Sequence, residues 1–288
     1  MVALDMSEAD HYLINYSNLF SQIFKTKVIY FVHIIPDMTK PKNISAEFHK
    51  LFSPEYPIDE KIRNKLELDI QEIIGEQNKF EWTVEVLEGT PYGKLIHWLD
   101  VKVVDLLVVG HKKRTEGSGI TTRKVTRKSK INVLFVPDKT FEILTNIVVP
   151  IDFSVNSYRA LYNALEIKKS FPEVNVKALH IVSHPPLDYY AGSLSSEALW
   201  VALEEEAKLK FQKFTDKYDL PDSKIQPVFI NDTTNGISKG LVKYLNENHT
   251  DLVIMGAKGH SPFETFLYGS VTETFIETYH NSPVLVVR

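Results

Sequence analysis

Two kinds of hydrophobic pattern alternate along the chain. Apolar runs at residues 28–35, 105–110, 132–137, 146–150, 176–182, 251–255 and 283–287 are too short for helices and mostly lack period-two alternation. They predict strands covered on both faces, as in a parallel sheet. Residues 81–87 alternate instead, at Trp82, Val84 and Val86, and residues 225–230 predict one further strand. Between these runs apolar residues recur at helical spacing. They include Leu13, Tyr16, Leu19, Phe20 and Ile23, then Ile62, Leu66, Ile70, Ile73 and Ile74, then Leu95, Ile96 and Leu99. Later come Leu161, Ala164, Leu165 and Ile167, a long stretch from Leu199 to Phe214 opening at Ser195 or Ser196, Ile237 to Leu245, and residues 271–276. Ser7-Glu-Ala-Asp10 has the form of a capping box for the first helix, and Ser154 is placed to cap the fourth. Residues 36–57 are loop-like, with one helical turn expected at 46–51. Strict strand–helix alternation predicts α/β units with right-handed crossovers, whose ligands sit outside the carboxyl ends of the strands.

The pattern occurs twice. Val2-Ala-Leu-Asp5-Met-Ser7 matches Val149-Pro-Ile-Asp152-Phe-Ser154, and the strand holding His33 matches the one holding His180. Asp105-Leu-Leu-Val-Val-Gly110 matches Asp251-Leu-Val-Ile-Met-Gly256, and residues 132–137 match 283–287. The expected organisation is two copies of roughly 140 residues each, 1–140 and 141–288. In the first copy the central strand starts at Met1, so it is expected to be short or to begin upstream.

Composition narrows the chemistry. Of 288 residues none is cysteine, which removes disulfides, thiolate metal sites and thiol catalysis. The net charge of −4 gives no bulk attraction to nucleic acid or anionic membrane. No apolar run approaches a transmembrane span. Residues 1–8 lack the basic and apolar regions of a secretory leader, so the cytoplasm is the expected compartment. A basic stretch at 111–130 offers anion or nucleic-acid contacts, but residues 1–140 balance at 20 basic against 19 acidic side chains, and a solvated helix face is the preferred reading.

Candidate chemistry concentrates where the strand at 251–255 ends. Gly256-Ala-Lys-Gly259 is followed by Gly269-Ser270 at the start of a helix, in the spacing G-x2-G-x9-G-S. Glycines let backbone N–H groups close on an anion, and a helix start adds unpaired donors and partial positive charge. Ser270 is placed to cap the helix or to donate to a phosphate. No P-loop occurs. Asp152, at the end of the second copy's first strand, suits ribose hydroxyls or Mg2+, or equally a turn beside the Ser154 cap. Met255 suits packing on a base or in the core. Lys258 and His260 are placed to offset phosphate charge or to be solvated. His33 and His180 occupy equivalent positions, which points to structure rather than catalysis.

That motif, with residues 146–154, 179–182 and 282–287 in order, resembles the universal stress protein family over about residues 145–288. The resemblance implies two tandem five-stranded Rossmann-like domains with strand order 3-2-1-4-5, so that the glycine loop faces Asp152. It implies an adenine nucleotide, ATP foremost, with Mg2+ as an optional companion. The implied contacts are Pro150, Ile151, Asp152, Ile181, Met255, Gly256, Gly259, Gly269, Ser270 and Val271, with no catalytic residue and no protein metal site. It further implies a stress-response regulator, paired domains within the chain, a homodimer, and a protein partner the sequence does not name. Nucleic acid and membrane are not expected partners. The rival readings are a slow ATP hydrolase and a nucleotide-independent interaction protein.

The first copy departs from the motif. Asp5 and Gly110 are present, but Lys113 stands where the second glycine belongs, and Gly117-Ser118 follows after too short a loop. A side chain there crowds an approaching phosphate, so this half is expected to bind nucleotide weakly or not at all.

Overall fold

A computed structural model describes residues 1–35, 58–75, 80–112, 130–138, 144–183, 196–231, 236–259 and 268–288. The expected turn of helix at 46–51, most of the basic stretch at 111–130, Lys113, Gly117, Ser118 and His260 lie outside the described residues. The chain divides into two compact units, Met1–Thr140 and Phe141–Arg288.

In the first unit the strands are β1 (Val2–Leu4), β2 (Val28–Ile35), β3 (Glu81–Glu88), β4 (Leu106–Gly110) and β5 (Asn132–Val136). Their order is β3-β2-β1-β4-β5, and every described pairing among them is parallel. The helices are α1 (Ala9–Ile23), α2 (Ile58–Ile74) and α3 (Pro91–Val101). The apolar faces read from the spacing hold buried residues: Leu13, Tyr16 and Phe20 on α1, Leu66 and Ile70 on α2, Leu95 and Leu99 on α3. β1 is short, three residues, yet central, with Val2 opposite both Phe31 and Val108.

The second unit repeats the plan with β6 (Asn146–Pro150), β7 (Asn175–Val182), β8 (Gln226–Asn231), β9 (Leu252–Gly256) and β10 (Val284–Val287). The order β8-β7-β6-β9-β10 is again 3-2-1-4-5 in parallel. Its helices are α4 (Val155–Ser170), α5 (Ser196–Lys217), α6 (Ile237–Glu247) and α7 (Ser270–Thr278). Ile147, Val148 and Val149 are wholly buried, as a central strand between helical layers requires. At the amino end of the sheet the buried Asp251 carboxylate accepts from Thr145 N–H, Thr145 Oγ1 and Asn146 N–H, each at 2.8 Å, and so fixes where β6 starts beside β9.

Helix starts follow the expected logic with two corrections. Ser154 does cap α4, accepting from Ser157 N–H at 3.2 Å. Ser7 does not cap α1: Glu8 stands at the cap position without a side-chain bond, and Asp10 instead reaches back to the amides of Asp5 and Met6 at 3.0 and 2.7 Å. A carboxylate two residues inside the helix captures amides of the turn that a short Ser side chain leaves unserved. Ser270 does not cap α7 either. Gly269 holds that position with extended backbone, Ser270 is the first helical residue, and its side chain is exposed.

Candidate functional site

The site lies where the carboxyl ends of β6, β7 and β9 meet, at the point where chain order in the sheet reverses. β6 runs into a tight turn, Asp152-Phe153-Ser154, before α4. Phe153 takes φ +64°, a left-handed conformation uncommon outside glycine. The turn is held by short bonds. Ser154 N–H donates to Asp152 Oδ1 at 3.1 Å, and Ser157 Oγ donates to that same oxygen. Asp152 N–H donates in turn to Ser157 Oγ at 3.0 Å. One carboxylate oxygen is thereby committed to the turn, and Oδ2 points to the glycine loop.

The loop leaving β9 explains its own glycines. A Cβ on Gly259 would lie 2.1 Å from Asp152 Oδ2, closer than atoms approach, so only glycine admits the carboxylate there. At Gly256 a Cβ would meet Asn156 Cβ at 2.7 Å and its backbone carbon at 2.9 Å, so this glycine lets β9 pack on the first turn of α4. Gly269 is different: a Cβ would find Lys258 Cα at an ordinary 3.5 Å. The loop is closed by Gly269 N–H to Ala257 carbonyl at 2.8 Å, by Asn156 Nδ2 to Lys258 carbonyl at 3.0 Å, and by Thr272 Oγ1 to Gly256 carbonyl at 3.0 Å. The first bond of α7 runs from Glu273 N–H to Gly269 carbonyl, so the amides of Ser270, Val271 and Thr272 precede the intrahelical ladder.

These elements enclose a cavity of about 280 Å3. All ten residues named from the sequence line it: Pro150, Ile151, Asp152, Ile181, Met255, Gly256, Gly259, Gly269, Ser270 and Val271. Ser157, Thr272, Ile237 and Leu241 line it too and were not singled out. Ile237 and Leu241 lie one turn apart at the start of α6 and give one wall an apolar face, with Ile181 and Met255 also on the lining. Their helical spacing was visible, but that α6 turns this stripe toward the cavity is a matter of crossover packing. Lys258 is on the lining and half-buried.

His180 also reaches the cavity. Its Nδ1 lies 2.9 Å from Ile151 carbonyl, and burial lowers its pKa despite that bond. His33 makes the equivalent contact, Nδ1 to Leu4 carbonyl at 3.1 Å. In both units a histidine on the second strand thus ties the end of the central strand, a positioning role.

Chemically the cavity offers an apolar wall, a carboxylate beside the backbone of Gly259, and a helix start whose first amides have no intrahelical partner. Among the described residues no three His, Asp or Glu side chains converge as a metal cage would require, and no helix is long and apolar enough to cross a membrane.

Comparison with known proteins places the arrangement. The model of the family described as "Universal stress protein family" matches residues 144–288. A universal stress protein of Methanocaldococcus jannaschii is 30% identical over 143 residues, 49% of this chain and 81% of that protein. Among solved structures, a universal stress protein from Archaeoglobus fulgidus aligns with a TM-score of 0.65 at 17% identity, covering 100% of this chain and 95% of that one. A functionally unknown protein from Pseudomonas aeruginosa aligns with a TM-score of 0.61 at 11% identity, covering 99% and 91%. At these identities the two solved structures speak to the fold. The family match spans the unit that holds the cavity, and with the archaeal relative it shows that this chain belongs to the universal stress protein family.

Proposed function

We propose that the second unit binds an adenine nucleotide, ATP foremost, and that binding serves regulation rather than turnover. The observation that carries this reading is the contact between Gly259 and Asp152 Oδ2, with the start of α7 beside it. Glycine backbone at 256 and 259, with Lys258 beside it and the first amides of a helix, suits phosphates. A carboxylate does not suit a phosphate, but it accepts well from ribose hydroxyls or serves Mg2+, and it stands between the loop and the apolar wall. Ile181, Met255, Ile237 and Leu241 would then hold the base. Only this chain's positioning groups are in play: Ser154 and Ser157 aim Asp152, and Asn156 and Thr272 hold the loop.

Regulation follows from linkage. A ligand that bridges the loop after β9 and the turn after β6 stabilises whichever arrangement brings them together, and a protein partner or a second copy of the chain can sense that choice.

The test is calorimetric titration of ATP, ADP and AMP into the full chain and into Gly259→Val. Binding by the parent and a loss of at least about 100-fold, near 2.7 kcal/mol, in the variant is expected. Equal affinity in the two, with hydrogen exchange confirming a folded variant, would remove the phosphate loop from this reading.

A further inference from the structure

A second cavity, of about 500 Å3, opens on the α5 side of Asp152. It is lined by Asp152, Phe153, His180, Lys210, Lys213, Phe214 and Lys217, and shares only Asp152 and His180 with the first. Helical spacing sets the three lysines along one face of α5, around Phe214, whose side chain is buried. Phe153 lies 4.6 Å from the His180 ring and 5.8 Å, edge-on, from Phe214. The result is an aromatic floor with a cationic rim.

The rim is more than the usual solvated face. Lys208, outside the cavity, pairs with Glu204 and Glu205, and Lys210 on the rim pairs with Glu206 at 2.6 Å. Lys213 has no ion pair or hydrogen bond among the described residues, and the Lys217 ammonium stands 5.0 Å over the Tyr218 ring, which stacks on Tyr158 at 4.2 Å. Glu206 offsets Lys210, and Asp152 lines the cavity with its charge intact, so Lys213 and Lys217 are the cations left to meet an anion. Residues 141–288 carry 13 basic and 18 acidic side chains, so three cations at one cavity run against the local average.

We infer that this cavity is a binding site for a small anion carrying an aromatic body, its phosphate or carboxylate held by Lys213 and Lys217 and its ring laid on Phe153 and Phe214. It is separate from the nucleotide reading and does not depend on it.

Phenyl phosphate and inorganic phosphate are titrated separately into the full chain, by calorimetry or by NMR of the aromatic resonances. Saturable binding of phenyl phosphate, at least about tenfold tighter than inorganic phosphate, is expected. The double variant Lys213→Gln/Lys217→Gln is expected to weaken phenyl phosphate by about tenfold or more, while Lys208→Gln, on the same helix but outside the cavity lining, leaves it unchanged. Both lysines are exposed, and circular dichroism checks that the double variant stays folded. No saturable binding, binding indifferent to the two lysines, or equal weakening by Lys208→Gln each overturns the assignment. Equal affinity for the two compounds overturns the aromatic part of it.

Discussion

The two units share a plan, yet the ends of their central strands are closed in opposite ways. In the second unit Asp152 turns one oxygen to its own turn and the other to a glycine. In the first, Asp5 sits in the equivalent turn but meets a cation: Lys112 Nζ lies 2.7 Å from Asp5 Oδ2 and 2.9 Å from Ser7 Oγ. Burial raises the Asp5 pKa, and the bonds from Lys112 and Ser7 outweigh it, so the carboxyl stays below its ordinary value. Lys112 follows Gly110 by two residues, as Lys258 follows Gly256. The same loop position thus supplies an internal counter-ion in one unit and lines the cavity in the other. A duplicated α/β unit can keep its fold while one loop position changes from lining a cavity to pairing with the strand-end carboxylate.

The largest effect that separates the units comes from their first glycines. Gly256→Val drives a branched side chain into the backbone of Asn156 and should cost the second unit about 3 kcal/mol or more. Gly110→Val, where an added Cβ meets nothing within 4 Å among the described residues, should cost less than about 1 kcal/mol. Urea denaturation with hydrogen exchange resolved by unit measures both, and equal costs would dissolve the contrast.

Next in size is a pH effect confined to the first unit. Position 157 holds serine, whereas the equivalent position 10 holds aspartate. Burial pushes the Asp10 carboxyl from 3.8 up to about 6, against the bonds from Asp5 and Met6 amides, with negative Asp5 adding to the rise. The folded state therefore holds this proton more tightly than the unfolded chain. The stability it contributes is full below about pH 4 and is lost as pH rises through about 6, a change on the order of 2–3 kcal/mol. Denaturation of parent and Asp10→Asn across that window should show a slope in the parent that the variant lacks.

The smallest effect sharpens the comparison most. Lys112→Ala removes a clasp whose carboxylate is more than half exposed, and should cost less than about 1 kcal/mol. The accompanying expectation is that ATP affinity of the whole chain stays unchanged, because we assign that binding to the second unit. A second ATP equivalent bound by Lys112→Ala would mean that the clasp alone closes the first site.

The strands, the repeat and the buried helix faces were legible because each is written in local pattern: apolar runs, helical spacing, and landmarks recurring in the same order; the strand order followed from the family resemblance. The ten positions named at the second site also come together, since strand ends and the loops after them converge wherever this topology forms. The reasons for particular residues were not legible. Gly256 answers to Asn156 and Gly259 to Asp152, about a hundred positions away in sequence, so the glycines first explained by an anion are required by protein contacts too. Of the two roles read for Ser270, helix cap or phosphate donor, the cap is taken by Gly269. The Lys112 clasp, the wall formed by Ile237 and Leu241, and the cationic rim of α5 depend on which way a helix face or a long side chain turns after packing, and no spacing rule carries that.

The left-handed residue after each strand-end aspartate has a further consequence. Met6, at φ +62°, and Phe153, at φ +64°, adopt the same strained backbone in both units, at a cost of order 1 kcal/mol each. At Phe153 the reversal sends two successive side chains to opposite sides of the sheet end, the carboxylate toward the glycines and the ring toward α5. A glycine here would ease the backbone but leave no fixed partition between the two chambers. The strained turn is thus where one short stretch of backbone contributes lining to both cavities, Asp152 to each and Phe153 to the one beside α5.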